Sequence, residues 1–225
     1  MNAHHSLRKL YCPGLEESPP GGKIQFFLEN WRKLTSDPII LGIVQGWDIP
    51  FLSTPHQTRT PREIQFSRQE RDSISEEIKK MLAKKAIRKV QARDVSPNQV
   101  LSNIFTRPKD QGFRMILNLK RLNQQIPYFH FKMEGLRDLK NILRPNDLMV
   151  KVDLSDAFWS VPISHQSRKY MRFNWEGTLY EFCVLAFGLG PAPRIFTKIL
   201  KVPISILRKL SIRLIIYIDD ILIVY

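Results

Sequence analysis

The stretch Arg213-Leu214-Ile215-Ile216-Tyr217-Ile218-Asp219-Asp220-Ile221-Leu222-Ile223-Val224-Tyr225 constrains the fold of this chain more than any other. Two strongly β-prone apolar runs flank an acidic pair, which reads as strand, turn, strand with both flanks buried. Adjacent carboxylates at such a turn repel one another. A divalent cation held through oxygen ligands relieves that strain most simply. Asp-Asp is also an ordinary turn pair, so on these residues alone a metal site and a plain turn both stand.

A second acidic site lies in Val150-Lys151-Val152-Asp153-Leu154-Ser155-Asp156-Ala157-Phe158. Asp153 ends an apolar strand read over Leu148 to Leu154, and Asp156 follows in the next turn, where a cap would equally account for it. Two-metal phosphoryl transfer needs carboxylates from separate strand ends converging on ions about 3.5–4 Å apart. Asp153, Asp219 and Asp220 supply that set if their strands are neighbours.

Composition narrows the class. The chain carries 35 Lys and Arg against 21 Asp and Glu, a net charge of +14, which points to a polyanionic partner through counterion release. A merely soluble basic protein fits the charge as well. With 225 residues and 43% hydrophobic content, one substantial core can form, shared by two subdomains. Cys12 and Cys183 are far apart and belong to no CxxC pair, so neither a disulfide framework nor a zinc ribbon is encoded. No signal-peptide pattern opens the chain, and no apolar run reaches the roughly 18 residues of a membrane span. The expectation is an intracellular protein of cytoplasm or nucleus, neither secreted nor membrane-bound.

Four segments are expected. Residues 1–22, rich in proline and glycine, read as a flexible leader in which His4-His5 is a solvated tail or a metal ligand. Residues 23–66 read as helical and then extended: Ile24, Phe27, Leu28 and Trp31 recur at helical spacing, and Ser36-Asp37-Pro38 caps a short helix closing near Gly46. Residues 67–147 open with the capping box Ser67-x-x-Glu70 ahead of Ile74, Ile78, Met81 and Leu82. That helix ends in Lys79, Lys80, Lys84 and Lys85, read as a solvated face or a phosphate track. A basic hairpin follows, turning at Pro108-Lys109-Asp110-Gln111-Gly112, and then a helix around Leu136, Leu139, Ile142 and Leu143. Residues 148–225 hold the two acidic strands, a hairpin turning at Glu176-Gly177, and a helix over Pro193 to Leu210 that Pro203 should interrupt or kink.

Three segments in this order resemble the polymerase motifs of reverse transcriptases. Lys151 to Phe158 followed by Ser160-Val161-Pro162-Ile163 looks like motif A, Phe187-Gly188-Leu189-Gly190-Pro191-Ala192-Pro193 like motif B, and Tyr217-Ile218-Asp219-Asp220 like motif C. Phe113 to Asn123 is similar to the fingers strand of that family. The wording is most similar to the DIRS-like retrotransposons, in Gly21-Gly22 through Asn30-Trp31, Leu34 to Pro38, Leu101 to Phe105 and His130 to Leu136. The resemblance implies an α+β fold of fingers (67–147) and partial palm (148–225), a ferredoxin-like antiparallel sheet packed on helices, with the thumb absent and the chain truncated after motif C.

It also implies a function: an RNA-directed DNA polymerase domain, transferring deoxynucleotides to a primer 3′-end by a two-metal mechanism. Asp153, Asp219 and Asp220 would hold two magnesium ions, or manganese, with the Leu154 carbonyl as an extra ligand. Arg114 matches the arginine that grips the incoming triphosphate. Lys109 is its companion, with Arg107 left open because Pro108 occupies a usual basic position. Phe158 falls where an aromatic ring excludes a 2′-hydroxyl, although core packing explains it too. Gly188 permits close approach to base or sugar, and a tight turn would equally need it. Motif B departs from the family pattern at Gly190-Pro191 and Arg194. The implied partners are an RNA or DNA template with primer, deoxynucleoside triphosphates, and further polyprotein segments (thumb, ribonuclease H) or a second subunit. As a fragment, the chain is expected to have weak or no activity alone; a catalytically inactive remnant that binds nucleic acid or a protein is the alternative.

Overall fold

Local signals start the helices where the sequence places them. The computed structural model describes residues 20–225 except Glu63 and Gln111, so most of the expected leader, with His4-His5, lies outside the described residues. A 3-10 turn over Lys23–Phe27 leads into α1 (Leu28–Leu34). Asp37 then caps α2 (Pro38–Gly46), its carboxylate accepting the N–H of Ile39 at 2.8 Å, with Pro38 at the first turn where no donor is missed. The Ser67/Glu70 capping box opens α3 (Arg68–Ala83), whose apolar stripe Ile74, Ile78 and Met81 is buried.

Three antiparallel sheets follow. β1 (Ile87–Lys89), β5 (Arg172–Trp175) and β6 (Thr178–Phe182) form one sheet in the order β1-β6-β5. β2 (Ile104–Pro108) and β3 (Phe113–Leu117) make the basic hairpin. β4 (Met149–Asp153), β7 (Arg213–Tyr217) and β8 (Asp220–Val224) form the third in the order β4-β8-β7. Between them lie α4 (Lys120–Asn123), α5 (Leu136–Ile142), α6 (His165–Arg168) and α7 (Ala192–Lys209). The architecture is therefore the expected α+β class. Among the described residues no helix is long and apolar enough to cross a membrane.

The main core gathers Phe173, Met171, Val161, Ile163, Val184 and Leu185, all fully buried, with α3 and the start of α7 packed over it. A smaller cluster, Ile204, Leu214 and Ile216 with Ile221 and Ile223 beside it, seals the third sheet onto the second half of α7. Side chains alternate across a strand, so Leu214, Ile216, Ile221 and Ile223 on the α7 side leave Tyr217, Asp220 and Leu222 on the other. Helix packing thus chooses the face on which the acids stand.

Two expectations change. α7 runs unbroken through Pro203. The proline forfeits its own N–H bond and crowds the Ile199 carbonyl, a local loss of about 3 kcal/mol that the buried face of the helix on two core clusters offsets. Gly21 and Gly22, inside the span expected to be a loose leader, are fixed. Gly21 donates to the Lys84 carbonyl and Gly22 to the Trp159 carbonyl, each at 2.7 Å. Gly22 has φ +69°, and a Cβ on Gly21 would lie 2.4 Å from the Lys85 carbonyl oxygen, so a left-handed backbone demands the one glycine and close backbone contact the other.

Candidate active site

The β4–β8 register pairs Asp153 with Asp220 directly across the ladder. Tyr217 pairs with Asp220 on the other side, leaving Ile218 and Asp219 as the two-residue turn between β7 and β8. The Leu154 N–H donates to the Asp219 carbonyl at 3.0 Å, tying the end of the first acidic strand to the turn of the second. Asp153, Leu154, Asp219 and Asp220, separated by more than sixty positions in the chain, therefore share one strand end. Ile218 holds φ +56°, a region where a β-branched residue is strained by about 1–2 kcal/mol. The surrounding hairpin imposes that conformation at the acids.

Lys151, two residues before Asp153 and on its face, extends its ammonium to 3.0 Å from Asp220. The hydrogen bond and charge of Asp220, with smaller contributions from Asp153 and Asp219, hold the Lys151 ammonium above its ordinary range. One cation thus feels all three carboxylates. Among the described residues no three acidic, His or Cys side chains converge tightly enough to enclose an ion. The donor set is right for a hard divalent cation, and Lys151 holds the position of its counter-charge.

Asp156 takes a different place. It adopts φ +54° at the head of a 3-10 turn (Ala157–Ser160), and its carboxylate bonds the Lys84 ammonium at 2.6 Å. Lys84 also lies 5.4 Å above the Trp159 ring, so this lysine fastens α3 to the turn after β4.

On the β2–β3 hairpin, Arg107 and Arg114 are direct cross-strand partners, both exposed. Like charges facing each other across a ladder repel, and an anion between them reverses the sign. The opposite face is held down: the Thr106 hydroxyl donates to Glu70 at 2.5 Å. That bond, with those from Ser67, keeps the Glu70 carboxyl below its usual range. Lys109 lies past the strand end, exposed, its N–H on the Gly112 carbonyl at 3.1 Å. The two arginines are placed together, and the lysine stands at the hairpin tip.

Gly188 adopts φ +89°, and its missing Cβ would sit 3.7 Å from the Leu117 carbonyl oxygen, so the loop before α7 packs on the end of β3. Asn123 clamps that loop. Its amide donates to the Gly188 carbonyl and accepts from the Gly190 N–H, each at 2.8 Å. A cavity of about 530 Å³ opens there, lined by Phe105, Ile116, Asn118, Lys120, Asn123 and Gly188. Phe158 is only 6% exposed, packed between Phe187 at 5.0 Å and Phe196 at 5.5 Å. Phe187, 57% exposed, is the ring in the open. Core packing thus accounts for Phe158, whose ring offers a ligand almost no surface.

The pattern of the reverse transcriptase (RNA-dependent DNA polymerase) family matches residues 107–225, more than half of the chain and all of the acidic strands. The chain belongs to the reverse transcriptase family. It is similar to the enzymatic polyprotein of cauliflower mosaic virus (strain Strasbourg), with 25% identity over 172 residues, 76% of this chain and 25% of the relative. The enzymatic polyprotein of figwort mosaic virus (strain DxS) is 25% identical over 162 residues, 72% of this chain and 24% of that one. The chain therefore spans about a quarter of the length of these relatives. Among solved structures, the foamy viral protease-reverse transcriptase in complex with dsDNA superposes with a TM-score of 0.61 at 24% identity, covering 77% of this chain and 35% of that one. The same protein in complex with an RNA/DNA hybrid gives a TM-score of 0.60 at 24% identity, over 77% and 23%. These likenesses show the reverse transcriptase fold.

Sequence reasoning did not single out Lys151 or Asn123 in this reverse transcriptase. Lys151 carried a signal, since a lysine two residues before a strand-end acid shares its face. Asn123 carried none, because its partners lie 65 and 67 positions away.

Proposed function

We propose that this reverse transcriptase chain copies an RNA or DNA template by adding deoxynucleotides to a primer 3′-end. The observation that carries the reading is the register setting Asp153 opposite Asp220 with Asp219 in the adjoining turn. Three carboxylates at two neighbouring strand ends are hard oxygen ligands of high charge, suited to two magnesium ions, or manganese, with the Leu154 carbonyl in support. Such ions, when bound, would ease deprotonation of the primer hydroxyl and offset charge on the leaving pyrophosphate. Arg107 and Arg114 would take the triphosphate between them, with Lys109 closing from the hairpin tip. The Gly188 loop would admit base and sugar. We place the wall against the sugar 2′-position at Phe187, with Phe158 behind it.

The matched relatives are polyproteins, which supports further segments acting with this one. We assign the parent element to the DIRS-like retrotransposons on the stretches 21–31, 34–38, 101–105 and 130–136; a tyrosine-recombinase frame in the same element tests that.

A second reading, a remnant that binds nucleic acid without catalysis, is favoured by the Lys151 ammonium on Asp220 where a cation would act. Primer extension with magnesium on RNA and DNA templates separates the two. Incorporation abolished by Asp219→Asn, with binding retained, supports the polymerase. Salt-sensitive binding with no incorporation leaves the remnant, and incorporation that survives Asp219→Asn refutes the assigned site.

A further inference from the structure

Alternation along β2 and β3 gives the basic hairpin two unlike faces. Ile104, Thr106, Met115 and Leu117 share the face toward the core, whereas Phe105, Arg107, Arg114 and Ile116 share the other. Apolar packing secures only the base of the hairpin, where Ile104 and Leu117 are buried. The arginine pair stands one rung beyond Thr106 and Met115, and both arginines are exposed. Among the described residues Thr106 is the one hairpin side chain hydrogen-bonded to another element: its hydroxyl donates to Glu70 Oε1 at 2.5 Å.

Glu70 is itself firmly held. Its Oε2 accepts the Ser67 N–H and the Ser67 hydroxyl, each at 2.8 Å. One residue on, Arg71 pairs with Glu176 at 2.6 Å, and the Ser75 hydroxyl accepts the Trp175 indole N–H at 3.2 Å, so another side of α3 is fastened to the β5–β6 hairpin. On the Glu70 side of the helix, Ser73 meets the tip of the basic hairpin, where a Cβ on Gly112 would lie 3.2 Å from the Ser73 hydroxyl. The capping box is complete without Thr106, and the β2–β3 ladder is complete without Glu70. Their bond therefore joins two elements that are each already formed, at the level of the arginine pair.

We propose that Glu70, acting through Thr106, is a positioning residue for a polyphosphate: it pins the hairpin end to α3 so that Arg107 and Arg114 keep a fixed separation before the anion arrives. Directly paired residues hold their Cβ atoms about 4.5–5.5 Å apart, and two guanidinium groups so close repel and drive the strand ends apart. A hairpin free to splay would have to be drawn together by the anion, at a cost in affinity that a pinned one avoids. Two adjacent guanidinium forks match the oxygens of successive phosphates, which names the ligand class. That the polyphosphate is the tail of a deoxynucleotide rests on the polymerase reading; the pinning itself does not.

The test is calorimetric titration of the whole chain with inorganic tripolyphosphate. Thr106→Val removes the hydroxyl and leaves the capping box intact, and it is expected to weaken binding about tenfold, the scale of one hydrogen bond to a charged group. Thr106→Ala should give the same loss, and Thr106→Ser, which keeps the hydroxyl, should stay within about twofold of wild type. Ser67→Ala removes a bond to the same carboxylate on its helix side, so melting should fall while affinity stays within about twofold. In a chain carrying Arg107→Ala and Arg114→Ala, Thr106→Val should make no further difference, because no pair is left to position. In primer extension Thr106→Val should raise KM for the deoxynucleotide and leave kcat within about twofold. Wild-type affinity in both Thr106→Val and Thr106→Ala overturns the proposal, as does a loss that Thr106→Ser does not restore, or one of equal size without the two arginines. Failure of the polymerase reading looks different: no incorporation in any variant, with the Thr106→Val loss of tripolyphosphate binding intact.

Discussion

Glu181 offers the sharpest test of how this fold is held. Its carboxylate is 1% exposed on β6, and Arg172 on β5 is 3% exposed. Arg172 reaches it through Nε at 2.9 Å, and Arg88 on β1 through Nε at 2.6 Å, so one acid ties all three strands of the sheet. Arg172 is further bonded to Gln99 at 2.6 Å. Glu181→Gln preserves shape and removes only the charge, leaving a buried guanidinium without its counter-ion. Breaking a buried pair from one side costs about 3–5 kcal/mol, since desolvation is no longer offset. Domains hold a total of about 5–15 kcal/mol, so the variant should lie near its unfolding threshold. With a urea slope of about 2–3 kcal/mol per molar, the midpoint should fall by more than about 1 M, read from the fluorescence of Trp175 on β5. Arg172→Met with Glu181→Leu together should lose less than Glu181→Gln alone, because no uncompensated charge stays at the centre. A Glu181→Gln loss below about 1 kcal/mol would refute the reasoning, showing that water reaches the pair.

Three further outcomes are expected. Arg213 bonds Asp147 through both guanidinium nitrogens at 2.7 Å and holds its carboxyl below the ordinary range. That stabilisation is present above the unfolded carboxylate pKa and is lost as pH falls through the lower folded value, so Asp147→Asn should reduce Tm at neutral pH and make no difference in strong acid. Lys151→Met removes the ammonium that all three site acids feel, so Tm should fall without divalent ions and recover on adding magnesium; a Tm indifferent to magnesium in both proteins would argue against an ion at these acids. Gly188→Ala meets ordinary space but a forbidden φ of +89°, so stability should drop by about 1–2 kcal/mol in urea melts, with weaker nucleotide use in extension assays; an unchanged melt would show that the loop relaxes freely.

Much of the fold was legible because its signals act over a few residues. Asp37 caps α2 and the Ser67/Glu70 box opens α3 as the spacing predicts, since each bond closes within one turn. The acidic strands and the hairpins turning at 108–112 and 176–177 were readable from alternation and turn residues. Pro203 does not interrupt α7 for the converse reason: a local rule is outweighed by apolar contacts that α7 makes with distant segments. Phe158 was legible as either a core ring or a wall against the sugar, while its packing on Phe187 and Phe196 was not legible, because those rings come from distant segments.

By itself the sequence supplied the candidates for the proposed site, its acids, arginines and glycine, and the order in which the chain delivers them. Only the tertiary structure decided who meets whom. A one-residue slip between β4 and β8 would send Asp153 or Asp220 to the α7 face, and nothing near either residue in the chain prevents it. Packing of Leu214, Ile216, Ile221 and Ile223 against α7 fixes the face of Asp220 once the helix is docked, and the β4–β8 ladder, closed by the Leu154 N–H on the Asp219 carbonyl, brings Asp153 to the same face. The Lys84 bond to Asp156 across 72 positions, the Asn123 clamp on the Gly188 loop and the Lys151 ammonium on Asp220 follow from that same packing, because they depend on register and docking rather than on neighbouring residues.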